Sequence, residues 1–383
     1  EKFRTFQEFN NYISDNLSEI LSMKLVAFEL QKNNDYEYNI DAFETFPYDE
    51  LLVNKIKECS SLINSNVQKI CSLNFEITEA YQKAIDKLIE NKVINMDEIA
   101  FIAMHGQTIW HNPDNMDGYA SSTLQIGEPS VLAYKYNKTV ISNFRVMDMA
   151  AGGSGAPLIP FVDYLLYKND KKNIALQNIG GIGNVCYLKK NCTIDDVIAF
   201  DTGPGNMIID GAMKLLYDLP YDEGGKIAMS GKICNEVLNE MLSDQYFEMP
   251  YPKSTGREKY NDNYLKKVIS DIKKYTNKKE DIITTITAFT AYSITKEYEM
   301  FLGPIDELIV SGGGSHNKYI IKLLEENLKI RVKVENRTDA FEAFGFAILG
   351  HMTMLHKPSN VRSVTGAKKN VVLGTITFPP CEE

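Results

Sequence analysis

Apolar and polar positions follow two rhythms along this chain. In one, apolar residues run together over a few positions and stop at glycine or a polar turn. This predicts strands at residues 174–179 and 185–188, around Gly180-Gly181-Ile182-Gly183-Asn184, and again at 197–200, 307–310 and 330–334. In the other, apolar residues recur every three or four positions, which predicts helices from Met207 to about 217, at about 284–301, 317–328 and about 340–355. The first half repeats the order, with strands at 24–30, 40–46, 98–103 and 139–144 and helices at about 48–59, 75–92 and 128–136. Three strands followed by alternating helix and strand, occurring twice, predict an α/β protein of two similar lobes with a ligand cleft where strand ends meet loops.

Length and charge narrow the field. With 383 residues, 44% of them hydrophobic, the chain can fill two cores of domain size. Its 41 Lys and Arg against 51 Asp and Glu give a net charge of -10, which opposes phosphate backbones, and its longest basic runs are pairs such as Lys171-Lys172 and Lys189-Lys190. Nucleic acid is therefore not an expected partner. No run of 18 apolar residues occurs, so no membrane span is expected. The segment Glu1-Lys2-Phe3-Arg4-Thr5 lacks a signal-peptide layout; it opens on Glu rather than Met, so further residues are expected upstream. Six scattered cysteines without a CxxC pair predict reduced thiols in the cytoplasm, and His351 with His356 is not metal-pair spacing, so no zinc is expected.

Candidate chemistry gathers at the predicted strand ends. Asp201-Thr-Gly-Pro-Gly-Asn206 puts a carboxylate before two glycines and a helix start. Such a turn can hold a phosphate while the acid serves as base or metal ligand; a strand-to-helix turn capped by Asp201 or Asn206 explains the same residues. The turn at residues 180–184 matches neither GxGxxG nor a P-loop. Ser311-Gly312-Gly313-Gly314-Ser315 offers either a flat backbone platform for a nucleoside or a tight turn. His105-Gly-Gln107-Thr108, with Trp110 and His111 nearby, mixes an aromatic face with polar donors as sugar sites do, although His105 alone reads more readily as a structural histidine. Gly152-Gly153-Ser154-Gly155-Ala156-Pro157, after Arg145 and Asp148, is a hinge or a substrate loop. Glu342 opens a helix and by default complements its dipole.

Together these segments resemble the anhydro-N-acetylmuramic acid kinases, bacterial sugar kinases of cell-wall recycling in the sugar kinase–actin–heat-shock ATPase superfamily. The residues that carry the resemblance include His105-Gly-Gln-Thr108, Thr123-Leu-Gln-Ile-Gly127, Asn143-Phe-Arg145 with Asp148, Asn178-Ile-Gly-Gly-Ile-Gly-Asn184, Phe200-Asp-Thr-Gly-Pro-Gly-Asn206, Ser254-Thr-Gly-Arg-Glu258, Gly312-Gly-Gly314 and Ser363-Val-Thr-Gly-Ala367. They run in the family's order from about residue 24 to the C-terminus. The resemblance implies two RNase H-like lobes around a central cleft: residues 1–165, with 356–383, on the sugar side, and 166–355 on the nucleotide side. It implies ATP and Mg²⁺, a homodimer, and a reaction in which water opens the 1,6-anhydro ring while O6 takes the γ-phosphoryl group. Asp201 would be the general base. Gly181, Gly203, Gly205 and Asn206 would face the phosphates, Gly312, Gly313 and Gly314 the nucleoside, and His105, Gln107, Thr108, Arg145 and Glu342 the sugar.

One segment departs from the family. Its opening phosphate loop, Met-Ser-Gly-Thr-Ser-x-Asp-Gly-x-Asp, should fall near Ile13–Ser22, where this chain reads Ile13-Ser-Asp-Asn-Leu-Ser-Glu-Ile-Leu-Ser22. Both glycines are gone, and Asp15 and Glu19 stand where backbone N–H groups would meet phosphate, which opposes nucleotide binding. Three readings stay open: an active kinase of this sugar, a kinase of another anhydro-sugar, and a sugar-binding or regulatory protein without kinase activity.

Overall fold

The computed structural model describes residues 22–32, 36–114, 118–335 and 340–381. Two compact units emerge: Tyr167–Thr338, and the chain up to Leu166 joined by Asp339 onward. In the latter, β1 (Ser22–Lys32) and β2 (Tyr36–Pro47) pair antiparallel, with an irregularity at Ala27/Phe28. Helices α1 (Glu50–Cys59) and α2 (Val67–Glu90) follow, their first turns capped by the side chains of Asp49 and Asn66. Their apolar faces bury Leu52, Ile56, Leu73 and Ile77 together with Ile109 and Ile126. Next come β3 (Phe101–Ala103), the antiparallel hairpin of β4 (Gln107–Asn112) and β5 (Ser122–Ile126), α3 (Pro129–Tyr136), β6 (Thr139–Ser142), α4 (Val146–Ala150) and α5 (Ile159–Tyr167). Strand β3 lies parallel to β6.

The second unit is built on β7 (Ile174–Ile179), β8 (Ile182–Leu188) and β9 (Ile198–Pro204), an antiparallel meander. Helices α6 (Met207–Tyr217), α7 (Asn235–Leu242), α8 (Asp262–Lys273) and α9 (Lys279–Phe301) precede β10 (Glu307–Ser311), α10 (Lys318–Leu328) and β11 (Val332–Val334). Strand β10 runs parallel to β7, and β11 parallel to β10. The sheet order β11-β10-β7-β8-β9 is that of an RNase H-like fold. Leu308, Ile309 and Val310 are all buried, as expected of an inner parallel strand covered on both faces. Helix α9 is buried along most of its length. Its threonine hydroxyls meet that by donating to backbone carbonyls, Thr284 to Ala228 and Thr285 to Asp281.

The chain then returns to the first unit through α11 (Phe341–Met354), α12 (Arg362–Thr365) and β12 (Thr375–Thr377), which pairs antiparallel with β6. A side chain at Gly350 of α11 would come within 2.9 Å of Ala103 and Phe101, so the helix lies directly on β3. This close approach places residues 340–355 with the first unit, where the sequence had put them with residues 166–355. Among the described residues, the β1–β2 hairpin and the β3–β6–β12 sheet are separate. The divergent segment at residues 13–22 lies, apart from Ser22, outside the described residues.

The strands and helices expected at 139–144, 174–188, 197–200, 207–217, 307–310 and 317–328 are present within a few residues. The hairpin β4–β5 and helices α4, α5, α7 and α8 were not anticipated; for α7 and α8, the polar segment after Tyr217 hides short periods such as Leu265, Val268, Ile269 and Ile272.

Candidate active site

In the second unit, Asp201 stands at a kink in β9. Phe200 pairs with Val185 and Asp201 with Asn184, but Gly203 pairs with Gly183, so Thr202 is the extra residue of a β-bulge. A buried relay fixes that bulge. The Tyr298 hydroxyl donates to Gln177 Oε1 at 2.8 Å, and Gln177 Nε2 donates to Thr202 Oγ1 at 3.1 Å. Asp201 itself is half-buried. Its N–H donates to the Lys253 carbonyl at 3.1 Å, its carbonyl accepts from the Tyr246 hydroxyl at 2.6 Å, and its Oδ2 accepts from the Thr255 N–H at 2.9 Å.

Three glycine turns meet at the ends of β7, β9 and β10. Gly205 and Met207 donate their N–H groups to Gly181 O at 2.9 and 3.2 Å, Asn206 N–H donates to Gly180 O at 2.7 Å, and Asn206 Nδ2 donates to Ile179 O at 3.3 Å. Thr290 of α9 donates to Gly205 O at 2.9 Å. A side chain at Gly205 would lie 2.2 Å from Gly180 O, and one at Gly314 would lie 2.3 Å from Ile179 Cγ2. Gly203 and Gly312 have φ of +115° and +82°. At these four positions the protein's own turns require glycine. Gly180 and Gly313 are looser, with nearest atoms at 3.7 and 3.3 Å from the missing side chain.

Beside them, Ser315 is buried and its Oγ has no hydrogen-bond partner among the described residues. Converging backbone, the start of α6 and a buried unpaired hydroxyl fit a phosphate- and hydroxyl-bearing ligand. Asp210, in the first turn of α6, is pushed up to about 6 by burial. It was not among the residues singled out in the sequence. The described residues hold no group of three or more His, Cys, Asp or Glu side chains suited to a metal.

The first unit gathers His105, Arg145 and Phe346. Arg145 Nη1 donates to Gly155 O at 2.9 Å and Nη2 to His105 Nε2 at 3.1 Å, while the His105 ring stacks on Phe346 with centroids 4.0 Å apart. Burial, and then the Arg145 charge, hold His105 well below the usual histidine range, so the imidazole is neutral. Its Nδ1 is buried without a partner among the described residues. Glu342 is exposed, one turn before Phe346 on α11, hence on the same side of that helix.

Gln107 is placed differently from its candidates. It is 2% exposed, and its Nε2 turns back to the Thr108 carbonyl at 3.1 Å. Thr108 belongs to a polar row on the β4–β5 hairpin. Gln125 Nε2 donates to Thr123 Oγ1 at 2.8 Å and to Thr108 Oγ1 at 3.3 Å, and Thr123 Oγ1 also meets His111 Nδ1 at 2.9 Å. His111, Thr123 and Gln125 were named in the sequence but given no role in the site. The Thr123-x-Gln125 alternation, which puts both side chains on one face, was the available signal.

The family model for anhydro-N-acetylmuramic acid kinase matches residues 19–379. The chain belongs to the anhydro-N-acetylmuramic acid kinase family. A member from Bacillus cereus (strain 03BB102) is 46% identical over 348 residues, covering 88% of this chain and 91% of that protein. Another from Francisella tularensis subsp. novicida is 45% identical over 342 residues, covering 88% and 89%. Among solved structures, the activator of 2-hydroxyisocaproyl-CoA dehydratase from Clostridium difficile with bound ADPNP aligns over 87% of this chain at 14% identity and a TM-score of 0.41. The anhydro-N-acetylmuramic acid kinase match takes in the Asp201 bulge, the three glycine turns and the His105–Arg145 group. It begins at residue 19, so most of segment 13–22 lies outside it.

Proposed function

We propose that this chain is a kinase that opens the 1,6-anhydro ring of 1,6-anhydro-N-acetylmuramic acid and phosphorylates O6, giving N-acetylmuramic acid 6-phosphate. The observation that carries the reading is Asp201, a half-buried carboxylate held by the Thr255 N–H beside three converging glycine turns. Asp201 takes a proton from water, the water oxygen bonds to C1, the C1–O6 bond breaks, and O6 bonds to phosphorus. ATP supplies the γ-phosphoryl group and leaves as ADP. The acetal needs an activated nucleophile, and a positioned carboxylate gives one without a strong external base.

The Gly203–Asn206 turn with Gly181 faces the phosphates, and Gly312–Gly314 with Ser315 faces the nucleoside. This makes residues 167–338 the nucleotide side. Mg²⁺ entering with the nucleotide is held mainly by phosphate and water and needs only one or two carboxylates, and Asp210 follows the phosphate turn directly in sequence. In the first unit, neutral His105, Arg145, Thr108 and Glu342 contact the sugar, with Gln107 supporting Thr108. Peptidoglycan turnover, a cytoplasmic location and a homodimer complete the proposal; no described helix is long and apolar enough to cross a membrane.

An ADP-release assay with 1,6-anhydro-N-acetylmuramic acid tests this reading. Turnover by the native chain and a fall of about 10²–10⁴ in kcat for Asp201→Asn are expected, the usual worth of a general base. Undiminished turnover in that variant would overturn the base assignment. A second reading, a sugar-binding protein without phosphoryl transfer, is favoured by the missing glycines at residues 13–22. Calorimetry with tight sugar binding and no ATP binding would select it.

A further inference from the structure

Directly behind Asp201 lies a pair of charges that the reaction above does not use. Lys253 and Glu297 are fully removed from solvent, with side-chain exposures of 1% and 0% and Nζ to Oε1 at 2.7 Å. The other Glu297 oxygen, Oε2, finds no hydrogen-bond partner among the described residues. The ammonium is ringed by Phe301, Tyr246 and Phe200, 4.4, 4.8 and 5.6 Å from their centroids, and also donates to the Tyr246 carbonyl at 3.1 Å. Such a pair is costly to dehydrate, and apolar residues of similar volume commonly serve stability as well or better. Its position gives it another use.

The segment that Lys253 anchors is the one that grips Asp201. The Lys253 carbonyl accepts the Asp201 N–H, the Thr255 N–H two residues on donates to Asp201 Oδ2, and Tyr246, whose carbonyl Lys253 holds, donates its hydroxyl to the Asp201 carbonyl. Glu297 sits on α9 one residue before Tyr298, which starts the relay to Thr202 of the bulge. One turn of α9 thus reaches Asp201 from both sides: through Tyr298, Gln177 and Thr202 in the sheet, and through Glu297 and Lys253 in the loop.

We propose that Lys253 and Glu297 are positioning residues for Asp201, a buried ion pair that fixes segment 246–255 against α9 so that the Thr255 N–H stays on the carboxylate. This rests on the reading of Asp201 as the base. The other charged groups facing the cluster are Glu258, Lys259 and Lys296. Lys259 pairs with Asp244, and Lys296 donates to the Leu242 carbonyl at 2.7 Å.

The test replaces both charges at once, Lys253→Met with Glu297→Leu, because a single change would strand its partner. Fold is followed by circular dichroism, and Asp201 by ¹³C-carboxyl NMR titration, its resonance assigned by its absence in Asp201→Asn. A folded double variant should titrate Asp201 about one unit higher, since a hydrogen bond that favours the carboxylate is loosened. Its kcat should fall at least tenfold with KM for sugar and ATP little changed. Tyr246→Phe, which removes one hydroxyl, should move the same titration in the same direction by less, and it decides the matter if the double variant does not fold. An unmoved Asp201 titration in a folded double variant, or in Tyr246→Phe when only that variant folds, overturns the proposal. Native turnover in Asp201→Asn would remove the base reading instead, while the titration would still report on positioning.

Discussion

Two aspartates with similar sequence surroundings end up in different settings. Asp148 precedes Gly152-Gly153-Ser154-Gly155, and Asp201 precedes Gly203-Pro204-Gly205. Asp148 is 0% exposed and accepts from Asn360 Nδ2 at 2.9 Å, Thr365 Oγ1 at 2.9 Å and the Gly155 N–H at 2.8 Å. It pins the glycine loop to the returning C-terminal segment and so sets the Gly155 carbonyl that Arg145 holds. Asp201 is half-buried, and its Oδ2 accepts from the Thr255 N–H of an adjoining loop. An acid beside glycines therefore marks a place where backbones approach closely. Whether it is a pin or a reacting group depends on how many donors the rest of the chain brings to it and how much water is left.

The sharpest way to break this contrast is to remove each acid. Asp201→Asn should lose catalysis while keeping its melting temperature. Asp148→Ala should lose several kcal/mol of stability, since hydrogen bonds to a charged group contribute about 1.5–3 kcal/mol each. Thermal unfolding of both variants checks this, and an equal drop in the two would make Asp201 a pin as well.

Smaller effects are expected at the glycines. A methyl group at Gly153 would stand 2.3 Å from Asp148 Oδ2, so Gly153→Ala should cost about 1–3 kcal/mol by overpacking the pin. Gly313→Ala, with its nearest atom at 3.3 Å, should cost under about 1 kcal/mol in denaturant titration and raise KM for ATP instead. Equal losses at both sites would erase the distinction between loops packed on themselves and a turn left open to ligand.

Particular side chains in the two units should also respond to acid with opposite signs. His111 is held down to about 4 by burial and then by Arg145, and His105 is lowered too. Between pH 6.5 and about 4 the unfolded chain binds protons that the folded histidines refuse, so their contribution to stability falls as pH falls, by at most about 1.4 kcal/mol per pH unit for each. Asp210, raised to about 6 from 3.8, holds its proton only when folded, so its contribution falls as pH rises across that window. Hydrogen exchange resolved by unit at pH 4.5 and 6.5 checks both signs. His111→Gln should flatten the first trend and Asp210→Asn the second.

Much of this was legible before any coordinates. The apolar runs at 174–179, 185–188 and 307–310 set the inner strands of the second unit, because a strand covered on both faces has to be apolar throughout. The turns at 180–184, 201–206 and 311–315 marked the ends that converge, since only glycine tolerates such close approach. The motifs in their order named the family.

Other features had no local signature. The bulge at Thr202, the relay from Tyr298 through Gln177, the Lys253–Glu297 pair and the Asp148 pin join residues that are 25 to more than 200 positions apart. Sequence alone determined which stretches would be strands, helices and tight turns, because backbone preference and amphipathic period act over a few neighbouring residues. Tertiary structure decided which acid is buried, which histidine is neutral and how tightly each glycine is packed, because desolvation, packing and hydrogen bonding depend on groups that only folding brings together.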